Sequence, residues 1–174
     1  KILFAGTKGP NSGFDHLMDA LSSFGPVDFI LLSTGPSFAS KKTEELESRG
    51  MLKQFGDLPD YQLEDLMANS DLLVNPYKVD FWRNRFNFPS KILKYLESGS
   101  LVCATEVPSI PHEIRDHIYH IGSGALGIEK SLREINGYDP AVMRRLSLRL
   151  SSGRECLLIE RKILELVEFL RQKD

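Results

Sequence analysis

Residues 84–105 read NRFNFPSKILKYLESGSLVCAT, and this stretch decides the fold. A loop runs into Pro89, an amphipathic helix follows, Gly99 closes it, and an apolar strand starts at Leu101. Proline suits the first helical position, because the N–H it lacks would have had no partner there. Glycine just past a helix can take the left-handed conformation that ends it. Phe88, ahead of the proline, offers no side-chain acceptor, so the N–H groups of Ser90, Lys91 and Ile92 are expected to be open. Open donors at a helix start favour an anion such as phosphate.

Working outward, strands and helices alternate. KILFAG (1–6), VDFILLS (27–33), 51–55, DLLVNP (71–76), LVCAT (101–105) and IYHIG (118–122) read as strands. Helices are expected at Phe14–Phe24, 41–49, 61–69, 90–98 and 111–116. After residue 124 the pattern turns helical, most clearly over Pro140–Leu150 and Cys156–Leu170. Such alternation implies a parallel sheet covered on both faces, an α/β Rossmann-like doubly wound domain of about six strands with a helical C-terminal segment. The common strand order 3-2-1-4-5-6 places a ligand where strands one and four diverge. The loops leaving those strands are 6–13 and 76–89. Gly6, Gly9 and Gly13 in the first of them would let the backbone approach a ligand, or would merely form a tight turn.

Bulk properties fit one globular domain over residues 1–174. Lys and Arg number 22 against 24 Asp and Glu, a formal charge of −2, which gives no electrostatic reason to expect nucleic acid. Cys103 and Cys156 are far apart and outside any Cys-x-x-Cys pair, so a reduced thiol in an apolar strand is the expectation for Cys103. No apolar run is long enough to cross a membrane and no signal peptide is visible, which suits an intracellular protein. The chain starts at Lys1, already inside a strand and without an initiator Met, and reads as a piece of a longer protein.

FPSKILKYLESGSLV (88–102) resembles the donor-site segment of the group 1 glycosyltransferases with the GT-B fold. The likeness extends to ILFAGTKGPNSGFDHLMDAL (2–21), similar to that family's opening strand, glycine turn and first helix. SDLLVNP (70–76) is similar to its strand before the sugar loop, and ATEVPSIPHEI (104–114) to its Gly-Ile-Pro-Glu loop. The resemblance implies a C-terminal, donor-binding domain of a retaining, metal-independent sugar transferase acting in polysaccharide or glycolipid synthesis. It implies a nucleotide-diphosphate sugar as substrate, no cofactor, and an N-terminal acceptor-binding domain as partner. This piece alone should then be inactive, and the whole enzyme should work in the cytoplasm or at the inner face of the membrane. Donor-binding candidates are Gly6, Thr7, Lys8, Ser12, Gly13, Phe88, Pro89, Ser90, Lys91 and Lys94; no catalytic residue is assigned. Backbone dipoles and the Lys8 and Lys91 cations would stabilise the departing diphosphate. No Asp-x-Asp pair is present to hold a metal.

The chain also departs from the family. The family's phosphate-gripping Arg and Lys fall on Thr7 and Ser12, and its paired glutamates on Phe86 and Lys94. Lysine accepts no hydrogen bond, so Lys94 cannot hold ribose hydroxyls as a glutamate would. Lys8, one residue from the Arg position, could replace its charge, and Glu97 could supply a carboxylate. These losses raise an alternative, a non-catalytic GT-B-like domain with an interaction role. A dinucleotide-binding dehydrogenase domain fits poorly, because Gly-x-Gly-x-x-Gly spacing is absent and no acidic residue ends VDFILLS. Arg83 and Arg85, beside Phe81 and Trp82, read either as ligand contacts or as a solvated loop tip. Arg144, Arg145 and Arg149 mark either a membrane-surface helix or, more commonly, the outer face of a helix packed on the sheet. His117 and His120 have no matching ligand set in the sequence for a metal.

Overall fold

The computed structural model describes residues 1–86 and 90–151. Phe88, Pro89 and the expected helix Cys156–Leu170 lie outside the described residues. Six parallel strands run β1 (Ile2–Phe4), β2 (Leu31–Ser33), β3 (Leu52–Gln54), β4 (Leu72–Asn75), β5 (Leu101–Thr105) and β6 (Tyr119–Ile121). Their order is β3-β2-β1-β4-β5-β6, as expected from the alternation. β1 and β4 are central neighbours, with Ile2 opposite Leu72 and Leu3 opposite Leu73. The helices are α1 (Phe14–Leu21), α2 (Lys41–Ser48), α3 (Asp60–Ala68), α4 (Lys91–Ser98), α5 (His112–Arg115), α6 (Gly124–Asn136) and α7 (Pro140–Ser151).

Side chains alternate across each strand and divide the core in two. Ile2, Phe4, Leu72, Val74, Leu101 and Cys103 face α1 and α6, where Phe14, Leu17, Ile128 and Leu132 are buried against them. Leu3, Ala5, Leu73, Val102 and Ala104 face the other way, against Met67 of α3, Ile92, Tyr95 and Leu96 of α4, and Ile114 of α5. Strands buried on both faces must be apolar throughout, which is why ILF and LVCAT carry no charge. Cys103 is free and fully buried, and burial pushes its thiol up to about 12. On α7, Met143, Leu146 and Leu150 pack on the first core while Arg144 and Arg145 stay exposed. α7 is therefore a packed helix with a charged outer face.

Three of the boundaries that differ from the sequence reading have a local reason. α1 stops at Leu21 rather than Phe24, because the Ser22 and Ser23 hydroxyls donate to the Met18 and Ala20 carbonyls and compete with the helix. β2 starts at Leu31 rather than Val27. Residues 25–28 form a turn in which Gly25 N–H donates to the Asp28 carboxylate at 2.8 Å and Val27 is left exposed. α4 starts at Lys91, with Ser90 rather than Phe88 at its cap position. Ser90 has helical dihedrals (φ −50°, ψ −26°) instead of the extended backbone of a capping residue, and its side chain makes no capping bond. The first turn of α4 is uncapped after all, through backbone conformation rather than residue type.

Candidate functional site

A cleft of about 200 Å³ opens at the carboxyl ends of β1, β2 and β3, on the face covered by α3 and α4. Its floor is Ala5 and Gly6 after β1 and Thr34 and Gly35 after β2. Asp57 and Leu58 follow β3, Leu63 and Met67 come from α3, and Lys91, Lys94 and Tyr95 come from α4. Loops at the carboxyl ends of adjacent parallel strands converge there because every strand points the same way.

Tyr95 fixes the geometry. Tyr95 is 1% exposed, and its hydroxyl accepts a hydrogen bond from Ala5 N–H at 2.8 Å and so ties α4 to the end of β1. Burial pushes the Tyr95 pKa up, which keeps the phenol neutral. Lys91, one turn earlier on α4, lies over the end of β1 with its ammonium 5.0 Å from the Phe4 ring centroid. Gly6 has φ +109°, a backbone conformation that favours glycine, and a Cβ there would come within 2.5 Å of Lys91 Cε and 2.6 Å of Nζ, the movable end of the lysine. Lys91 has neither hydrogen bond nor ion pair among the described residues. Burial, and then the neighbouring Lys8 charge, lower its pKa to about 8.

The other two cations are engaged. Lys8 Nζ donates to the carbonyls of Thr34, Gly35 and Pro36 at 3.1, 3.4 and 2.8 Å, so it is not the free arm that the sequence suggested. Burial holds its ammonium below the ordinary lysine value, with the Asp57 charge opposing that shift. Lys94 Nζ donates to Asp60 at 2.7 Å and holds the Asp60 carboxyl below its usual range. The pair is solvent-facing, and exposed pairs contribute little, so an anion in the cleft could displace Asp60.

The loops after β1 and β4 do meet, as expected, but they are fastened together. Asn84, 1% exposed, donates from Nδ2 to the carbonyls of Asn11 at 3.1 Å and Lys78 at 2.9 Å. Gly13 has φ +68°, and a Cβ there would fall inside the Pro76 carbonyl. Of the two uses the sequence left open for Gly13, ligand approach or a tight turn, the structure shows the second, because the glycine lets the two loops touch. Ser12 is buried and its hydroxyl donates to Gly9 at 2.7 Å, shaping the same turn. Thr7 is exposed and outside the cleft lining. Of the expected set, Gly6, Lys91 and Lys94 line the cleft, and exposed Ser90 lies just before α4.

Several lining residues escaped the sequence reading: Asp57, Leu58, Leu63, Met67 and Tyr95. The GDLPD turn at 56–60 was the available signal, since it leaves the strand beside β2. Asn84, between the two arginines of the loop tip, lies in a 3₁₀ turn (Trp82–Arg85) and is the fastener between loops. Arg83 at that tip lies over the Trp82 ring, 5.2 Å from its centroid. His120 Nε2 lies 3.1 Å from the Arg115 carbonyl.

No family model matches the chain, and no curated protein matches it. Solved structures do. The C-terminal domain of a group 1 family glycosyl transferase (LpcC) from Francisella tularensis superposes with a TM-score of 0.65 at 13% identity, over 92% of this chain and 84% of that one. Anabaena Alr3699/HepE, solved in complex with UDP and glucose, gives 0.67 at 15% identity, over 96% of this chain and 48% of that one. Sucrose-phosphate synthase from Thermosynechococcus elongatus gives 0.69 at 16% identity, over 98% and 45%. The chain has the fold of the C-terminal domain of a group 1 glycosyltransferase. It spans about half the length of the last two of these chains.

Proposed function

We propose that this chain is the donor-binding domain of a glycosyltransferase, taking a nucleotide-diphosphate sugar in the cleft beneath α4. The observation that carries the reading is Lys91, a partly buried ammonium with no hydrogen-bonding or ion-pair partner among the described residues, held at the uncapped start of a helix. Helix dipole, open N–H groups and a cation all favour an anion at that point. The fold shared with a protein solved with UDP and glucose supports the choice of anion.

In the reaction proposed, the bond from the sugar's anomeric carbon to the diphosphate breaks and its electron pair leaves with the phosphate oxygen. The acceptor hydroxyl oxygen bonds to the same face of the sugar, with retention, and its proton passes to the departing phosphate. Lys91 and the first turn of α4 stabilise the charge gathering on that phosphate, a role taken without a metal in this reading. Lys94, freed from Asp60, adds a second cation. The acceptor, a growing polysaccharide or glycolipid at the cytoplasmic side of a membrane, is held by a separate N-terminal domain. This chain alone therefore binds donor without turnover.

A second reading, a GT-B-like domain that has lost catalysis, is favoured by the way Lys8 and Lys94 are satisfied within the fold. Thermal shift with UDP, GDP, ADP, CMP and dTDP and their sugars separates the two. Donor binding predicts a rise in Tm with one base, and Lys94→Glu abolishes it by placing a carboxylate at the phosphates. Silence of the wild type across the whole panel would support the non-catalytic reading.

A further inference from the structure

Asn75 ends β4 only 1% exposed, and neither its Nδ2 nor its Oδ1 has a hydrogen-bond partner among the described residues. A buried carboxamide without partners costs free energy that an apolar side chain of the same shape would not. The three residues before it, Leu72, Leu73 and Val74, are apolar, so a leucine at 75 would simply continue the strand. An unmet amide kept in such a place calls for an explanation beyond packing.

Its direction comes from strand alternation. Leu73 belongs to the core shared with Ile92, Tyr95 and Leu96 of α4, so Asn75, two residues on, faces the same side. β4 ends at Asn75, and α4 begins over the carboxyl edge of the sheet, with Lys91 against Gly6 at the end of β1. The amide thus lies on the α3–α4 side of the sheet, at the carboxyl edge where α4 begins, next to the cleft rather than among its lining residues. In the sheet its register partner on β5 is Ala104, and continuing the β1 register beyond Phe4 brings Ala5 opposite it, so the side chains flanking it along the sheet are small, while the Tyr95 hydroxyl on this side is taken up by Ala5 N–H.

A carboxamide presents N–H donors and a carbonyl acceptor together. A bare phosphate accepts only and would leave Oδ1 unmet. A ligand that brings a hydroxyl beside an acceptor oxygen meets both atoms, and a sugar does so. The geometry points to Asn75 as a specificity residue that hydrogen-bonds a hydroxyl of the donor sugar while the start of α4 holds the adjoining phosphates. This inference rests on the donor-binding reading above and extends it to a residue that touches the sugar rather than the nucleotide.

The test uses the full chain and its Asn75→Leu and Asn75→Ala variants. Calorimetric titrations compare UDP, GDP, ADP and dTDP with UDP-glucose, GDP-mannose, ADP-glucose and dTDP-glucose, and melting curves are taken without ligand. The wild type should bind one sugar conjugate about tenfold more tightly than its free diphosphate. Both variants should keep the diphosphate affinity within about twofold and lose the sugar's increment. Asn75→Leu should also melt above the wild type, because an unmet amide has gone; Asn75→Ala keeps the binding test alive if the leucine variant does not fold. An undiminished sugar increment in the variants, or a leucine variant that folds but melts below the wild type, overturns the proposal. Diphosphate binding with no sugar increment in the wild type sinks it alone, whereas no nucleotide binding at all sinks it together with the donor-binding reading.

Discussion

A lysine pressed against a glycine and an aromatic ring has given up part of its hydration, and Lys91 shows the consequence in a pKa near 8. The group's folded pKa lies below its ordinary value of 10.5, so between the two the unfolded chain binds more protons than the folded one. Stability then rises with pH across that window and carries the full burial penalty below it. Comparing denaturant midpoints of the wild type and Lys91→Met between pH 7 and 10.5 should reveal this slope in the wild type and a flatter profile in the variant. Parallel profiles would mean that Lys91 keeps its water. The position of Lys91 was legible in the sequence, because Pro89 and the amphipathic run after it mark a helix start. Tyr95 was not legible in the same way. Its bond to Ala5 joins positions 90 residues apart, and no local pattern reports such a pairing.

At the scale of elements, the sequence located the loops after β1 and β4 correctly but not their relation. Strand order brings the two loops together, and topology can be read from alternation. Whether they leave a gap depends on side chains such as Asn84, whose three hydrogen bonds with Asn11 and Lys78 close it. The cleft beneath α4 lies to one side, over β1 to β3, where Leu63 and Met67 of α3 and Tyr95 of α4 line it. Gly13→Val tests this account of the loops. The added side chain meets the Pro76 carbonyl and forces a left-handed backbone on a β-branched residue, so the variant should lose on the order of 3 kcal/mol of stability in urea denaturation. A variant as stable as the wild type would show that the loops are free to separate. The ends of α1 and β2 were misjudged for a similar reason: serine hydroxyls and an Asp28-centred turn overrode the apolar pattern.

At the scale of the molecule, a six-stranded parallel sheet puts every strand's carboxyl end on one edge, and the cleft, the start of α4 and Asn75 all lie along that edge. The order of the sheet was legible because each strand is a short apolar run between helices of clear period, a pattern that tertiary contacts had little need to override. The chemistry was less legible, because Thr7, Ser12, Phe86 and Lys94 stand where the resembled family has charged ligands for its donor. Lys91 remains as the cation facing the cleft with neither ion pair nor hydrogen bond among the described residues. The most direct test is isothermal titration of the wild type and Lys91→Met with the nucleoside diphosphate that gives the largest thermal shift. The account predicts saturable binding to the wild type that falls about tenfold or more in the variant, as the loss of a charge-assisted contact requires. Equal affinity in the two proteins, or no binding to either, would contradict it.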